Sequence, residues 1–151
     1  MREESSFTNS LGIDISYFYY YYPNYQKDKI VLFCHGLGPG HVSYLREIEL
    51  LAELGFKVLT LDYTGCGESK GKNMRSLNQP TRDAMELLNL LQIKEEIILM
   101  GHSLGGYTAL NLLSLRDEIK KAVVLAPFIT IESLLTAFLK KKFIVSRILK
   151  Y

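Results

Sequence analysis

A chain of 151 residues, 48% hydrophobic and 23% charged, is the size and composition of one soluble domain, able to bury roughly two-thirds of its unfolded surface. A net charge of +2 excludes the footprint of a nucleic-acid-binding protein, although its sign is uneven: Lys140, Lys141, Lys142, Arg147 and Lys150 follow residue 139 with no acid among them, leaving the preceding part mildly acidic. Only two cysteines, Cys34 and Cys66, without metal-ligand spacing, and an opening stretch Met1 to Ser6 with no apolar region, predict a reduced cytoplasmic protein without a metal centre; no run approaches the roughly 20 apolar residues of a bilayer span.

Taken in order, Asn9 to Gly12 is turn chemistry, and Ile13 to Tyr22 follows with six consecutive aromatic residues from Tyr17. Aromatic side chains suit a pleated, half-buried surface, so this run predicts a strand of an antiparallel edge hairpin that ends at Pro23 and Asn24. From Lys29 the pattern changes. Four short runs, Ile30 to Phe33, Val58 to Leu61, Ile97 to Met100 and Ala122 to Leu125, are mainly apolar without strict alternation. Strands apolar on both faces, separated by helical stretches, are what a parallel sheet covered on both sides requires. The first helix is predicted over about Tyr44 to Leu54, with Leu45, Ile48, Leu51 and Ala52 on one side and Gly55 as its stop. The second is predicted over about Thr81 to Leu91, with Ala84, Leu87, Leu88 and Leu91 at helical spacing and Pro80 suited to its first turn. The fold class is therefore α/β: a mostly parallel sheet with helices on both faces and an amino-terminal antiparallel hairpin.

The stretch Glu96 to Gly106 carries the chemistry. A buried strand runs through Gly101-His-Ser-Leu-Gly105 into a helix, the Gly-x-Ser-x-Gly pattern of a nucleophile elbow with Ser103 at the apex. A serine hydroxyl is a weak nucleophile, so the turn must lift it clear of the backbone while glycines at 101 and 105 let neighbouring chain pack close. The helix start at Leu104 directs free amides and the positive dipole end towards the place where negative charge builds during acyl transfer. The other unusual clusters, Cys34 to Gly38, Asp62 to Ser69 and Ala126 to Phe128, each follow a predicted strand, which is where open parallel sheets bind ligands.

His35-Gly36-Leu37-Gly38, Asp62 through Ser69 and Gly101 through Gly106, in this order, resemble the α/β-hydrolase family, particularly its serine aminopeptidase-like and acylglycerol-lipase-like members. The similarity runs from about Phe7 to Phe128. It implies Ser103 as nucleophile, the amides of Leu37 and Leu104 as oxyanion hole, and His35, Gly36, Gly101 and Gly105 in support, with His35 fixing the loop that presents the Leu37 amide. His102, next to Ser103 on a turn that directs the two side chains apart, reads as structural. His41, in the loop after Gly40, is the one histidine expected to have a chance of facing the cleft as a surrogate base. Asp62 reads as structural, since it precedes the nucleophile whereas the triad order is Ser, acid, His. Asp83 is expected to favour the start of the second helix through its dipole.

A nucleotide reading of Gly65 to Lys72 fails by spacing: a phosphate loop ending in Gly71-Lys72 needs glycine where Cys66 stands and Ser or Thr where Asn73 stands. A dinucleotide fingerprint lacks its third glycine at Lys70, so no cofactor is implied.

After Ser103 the acids are Asp117, Glu118 and Glu132, and no histidine follows. The expectation is an α/β-hydrolase fold truncated after the sixth strand: residues 1–128 as the amino-terminal part of the core, 129–151 as the start of a cap helix with a basic tail. Ile131, Leu134, Leu135, Phe138 and Leu139 form the apolar stripe of that helix. A basic amphipathic tail also suits an anionic membrane surface, but a cap helix with a solvated charge run is the preferred reading. Two functions are open: a serine hydrolase cleaving a small-molecule ester or amide through an acyl-serine intermediate, incomplete within this chain, or a non-catalytic remnant that binds a small acyl ligand or a partner chain. An apolar strand left at an open edge would favour self-association.

Overall fold

The first two strands form the expected hairpin, β1 (Arg2–Thr8) and β2 (Asp14–Tyr20), paired antiparallel from Arg2 opposite Tyr20 to Thr8 opposite Asp14. Gly12 closes the turn at φ 72, and the Asn9 side-chain oxygen accepts hydrogen bonds from the Leu11 and Ile13 amides. The aromatic run is strand as far as Tyr20, with Ile15, Phe18 and Tyr20 buried. These coordinates come from a computed structural model, which describes residues 1–127. The predicted stripe from Ile131 to Leu139 and the basic stretch from Lys140 lie outside the described residues.

Four further strands, β3 (Lys29–Cys34), β4 (Lys57–Leu61), β5 (Glu96–His102) and β6 (Lys121–Leu125), run parallel to one another, and the hairpin joins them through β2, antiparallel to β4. The order across the sheet is β1-β2-β4-β3-β5-β6. Three helices cover it: α1 (Leu45–Glu53), α2 (Gln79–Leu91) and α3 (Leu104–Leu115). The unalternating apolar runs now make sense, because successive residues go to opposite, separately covered faces. Ile30, Leu32, Leu59, Leu61, Ile97 and Leu99 meet Ala84, Leu87 and Leu88 of α2 and Ala109 and Leu112 of α3. Val31, Phe33 and Val58, pointing the other way, meet Ile48 and Ala52 of α1.

The helix boundaries differ slightly from expectation. A 3-10 turn over His41–Tyr44 precedes α1, and Gly55, at φ 91, ends it by donating from its amide to the Ala52 carbonyl. α2 begins two residues earlier than its apolar spacing suggests, with Pro80 in its first turn and the buried Gln79 side chain donating to Asp83 one turn further on.

The α1 face is covered over β2, β3 and β4. On β6, Val123 and Leu125 are each 51% exposed, and among the described residues β6 pairs with β5 alone. Burial therefore predicts unequal mutational costs along the sheet. Leu99→Ala, in the covered centre, is expected to lower unfolding stability by about 2–5 kcal/mol, whereas Val123→Ala should cost under about 1 kcal/mol. Urea denaturation of the two variants measures the difference.

Candidate active site

Ser103 sits between β5 and α3 at φ 54, ψ −115, a conformation costly for a residue with a side chain. The turn is held from both sides: the Ser103 amide donates to the Leu125 carbonyl at 2.9 Å and its carbonyl accepts from the Tyr107 amide at 3.0 Å. Close packing explains the two flanking glycines. A Cβ on Gly101 would strike the Gly105 carbonyl, and one on Gly105 would strike the Cys34 carbonyl at the end of β3. The helix thus starts pressed against the neighbouring strand with no side chain between.

The loop after β3 lies against the same point. A Cβ on Gly36 would come within 3.2 Å of the His102 carbonyl, which brings the His35 to Gly38 segment alongside the elbow. Leu37 is exposed in that loop. Leu104 opens α3, and the first amides of a helix have no partner within it.

His35 is fully buried, its Nδ1 lies 2.7 Å from the Gly36 carbonyl, and its Nε2 accepts from the Tyr63 amide at 3.4 Å. Burial pushes its pKa below the ordinary histidine value, against the opposing pull of the Gly36 carbonyl and the Asp62 carboxylate. The ring is neutral, with its proton on Nδ1 donated to Gly36. Asp62 Oδ1, 3.9 Å from Nε2, is too far for a hydrogen bond.

Asp62 is also fully buried. It accepts from the His41 amide (2.7 Å), His41 Nδ1 (2.9 Å) and the Glu68 amide (2.8 Å). Burial alone would raise its pKa, but the hydrogen bonds from the His41 ring and the two amides outweigh that and hold it below the usual carboxylate value. His41, which the sequence allowed to face the cleft, does not: its ring is buried, stacked on Phe18 at 3.9 Å between centroids, with Nε2 on the Tyr20 hydroxyl at 3.0 Å. The 3-10 turn that carries it folds inward, where Asp62 satisfies its polar edge. His102 points away from Ser103, with Nδ1 2.8 Å from the Tyr44 hydroxyl.

The reading of Asp83 also changes. It is fully buried and accepts from Asn9, the Thr64 amide and hydroxyl, and Gln79, at 2.8–3.1 Å. It ties the hairpin turn, the loop after β4 and α2 together rather than serving the helix dipole. Sequence reasoning missed Tyr20, Tyr44, Asn9 and Gln79 as partners of buried polar groups. Nothing local marks Tyr20, Tyr44 or Asn9, whose partners are distant in the chain, whereas Gln79 and Asp83 are one helical turn apart, a spacing the sequence did offer.

Neither cysteine competes as a nucleophile. Both are free, and burial pushes the Cys34 thiol up to about 12 and raises that of Cys66. Among the described residues no cluster of His, Cys, Asp and Glu is arranged to hold a metal ion.

An α/β sheet with a glycine-flanked serine elbow at the carboxyl ends of its strands defines a hydrolase-type domain, and comparison with known proteins assigns it further. Residues 25–150 match the serine aminopeptidase S33 hydrolase family, and the chain belongs to that family. It is 35% identical over 106 residues to salicylic acid-binding protein 2 of Nicotiana tabacum, covering 68% of this chain and 41% of that protein. It is 33% identical over 105 residues to an epoxide hydrolase of Caballeronia sordidicola, covering 66% and 32%. A Pyrococcus furiosus esterase superposes with a TM-score of 0.73 at 24% identity, over 84% of this chain and 52% of that one, and shares the fold. The chain thus spans less than half the length of these curated relatives and about half that of the solved esterase.

Two outcomes follow from the site's electrostatics and packing. A histidine kept neutral by burial stays unprotonated while the unfolded chain takes up a proton, so stability falls as pH drops below the ordinary value of 6.5. Denaturation midpoints between about pH 7.5 and pH 5 should show this slope, and it should be shallower in His35→Gln. Removing the Asp83 carboxylate leaves its buried donors unpaired; Asp83→Ala is expected to cost on the order of 3 kcal/mol or more by the same measurement.

Proposed function

We propose that this chain carries the nucleophile and oxyanion donors of a serine hydrolase that cleaves an ester or amide bond, with the triad acid and histidine coming from outside these residues. The observation that carries the reading is Ser103 at positive φ where β5 meets α3, in a turn that only glycine at 101 and 105 permits. In the reaction Ser103 Oγ attacks the acyl carbon, its proton passes to the base, and the carbonyl oxygen takes up negative charge opposite the Leu37 and Leu104 amides. The leaving alkoxide or amine then departs with a proton, and water releases the acyl group from Ser103. Each oxyanion donor is worth about 3 to 4 kcal/mol of transition-state stabilisation. Relatives include an esterase and an epoxide hydrolase; a serine hydroxyl beside backbone donors suits an acyl carbon better than an epoxide ring. In this reading His35, Gly36, Gly101 and Gly105 hold the machinery in shape, residues 1–128 form the core, 129–151 begin a cap, and the protein works in the cytoplasm with its thiols reduced.

A second reading, a non-catalytic domain that binds a small acyl ligand or, at the open β6 edge, a partner chain or second copy, is favoured by one observation. None of the three histidines serves Ser103: His35 is spent on Gly36 and Tyr63, His41 on Asp62 and Tyr20, His102 on Tyr44. Loss of the histidine alone costs about 10⁶ in turnover, while about 10³ to 10⁴ over water survives from the oxyanion hole and binding. Labelling with a fluorophosphonate separates the two. The hydrolase reading expects slow labelling at Ser103 that vanishes in Ser103→Ala; no labelling of a folded chain supports the binding domain.

A further inference from the structure

Between α2 and α3, on the far side of the helix pair from the sheet's open face, lies a cavity of about 400 Å³ that Ser103 does not line. Its size falls in the range of small-ligand sites, about 300–1,000 Å³. Two of its lining residues, Thr81 and Asn111, each carry a polar atom, Oγ1 and Nδ2, that is shielded from solvent and has no hydrogen-bond partner among the described residues. Thr81 is 6% exposed. Buried polar groups are almost always paired, so an orphan needs a reason. The other orphans among the described residues, the Tyr63 and Thr108 hydroxyls, lie in the solid core; these two share a cavity.

The charge and hydrogen-bonding capacity left over in that wall is selective. Glu86 is turned to the hairpin, accepting from the Ser10 amide at 2.7 Å and the Ser10 hydroxyl at 2.5 Å, so its negative charge stays at the Ser10 end of the wall. The Asn78 oxygen accepts from the Tyr107 hydroxyl at 2.7 Å, and its NH₂ remains as a donor. The Arg82 guanidinium, by contrast, makes no side-chain hydrogen bond or ion pair among the described residues. What remains among the described residues is mostly donors, with the Arg82 guanidinium, beside the apolar side chains of Met85 and Leu115.

We propose that this cavity binds a small monocarboxylate with a short apolar tail. The carboxylate pairs with Arg82 and receives the Thr81 hydroxyl and the Asn111 amide, brought round by one χ1 step and a χ2 rotation, while the tail lies along Met85 and Leu115. A valine at position 81 would fill about the same space without the orphan hydroxyl. A planar, bidentate guanidinium with convergent neutral donors is suited to a carboxylate. The site is independent of the chemistry proposed for Ser103.

Hexanoate is the probe, titrated into the full chain with melting temperature and amide NMR shifts as readouts, and hexan-1-ol as the uncharged control. Hexanoate is expected to raise the melting temperature saturably and to shift the α2 and α3 amides, with hexanol giving little effect. Arg82→Gln should weaken binding about tenfold or more, the loss of one charge-assisted hydrogen bond. Thr81→Val should melt at the same or a higher temperature without ligand, yet lose most of the hexanoate response; Asn111→Leu checks the second orphan in the same way. Ser103→Ala should bind hexanoate unchanged, which separates this site from the elbow. The proposal is overturned by no saturable response, by hexanol acting as well as hexanoate, by undiminished binding in Arg82→Gln, or by a ligand-free Thr81→Val that melts lower.

Discussion

Everything at the carboxyl end of the sheet depends on how closely α3 approaches β3. The Gly105 position leaves no room for a Cβ against the Cys34 carbonyl, and Gly101 leaves none against Gly105. With side chains there, α3 would have to move outward, and the Ser103 turn would relax from its strained φ of 54. That strain is held by the surroundings: the Ser103 amide is fixed to β6 through Leu125, and its carbonyl is fixed into α3 through Tyr107. In the proposed hydrolase reading, a serine presented this way would need no rearrangement before it meets a carbonyl carbon.

Around this crossing the domain spends buried polar groups on holding loops. Asp62 gathers the His41 turn and the Glu68 amide, His35 joins its own loop to Tyr63, and Asp83 joins three separate segments. Each carboxylate is paid back by several donors, the condition under which a buried charge is tolerable. The same economy removes all three histidines from the pool of general bases. A histidine that must stay neutral or hydrogen-bonded to keep a loop in place is unavailable to take a proton from Ser103.

The distribution of apolar surface agrees with the distribution of chemistry. One face of the sheet is closed by α2 and α3, whereas the α1 face thins towards β5 and β6, where Val123 and Leu125 stand half exposed next to the elbow. The part of the sheet left bare is thus the part nearest to the proposed nucleophile. The curated relatives are more than twice as long as the stretch matched.

The amino-acid sequence by itself determined the layered α/β architecture, because apolar runs without alternation can be buried only between two covers, and it determined the elbow, because Gly-x-Ser-x-Gly between a strand and a helix has a steric meaning that is local. The helix stops at Gly55 and the first-turn Pro80 were legible for the same reason. Only the tertiary structure decided what the buried polar residues do. His41 turned inward to Asp62 and Tyr20, Asp83 became a three-way tie instead of a helix-start charge, and Tyr44 took up His102. Those pairings join residues 19 to 74 positions apart, and a hydrogen bond has no periodicity from which such distances could be read.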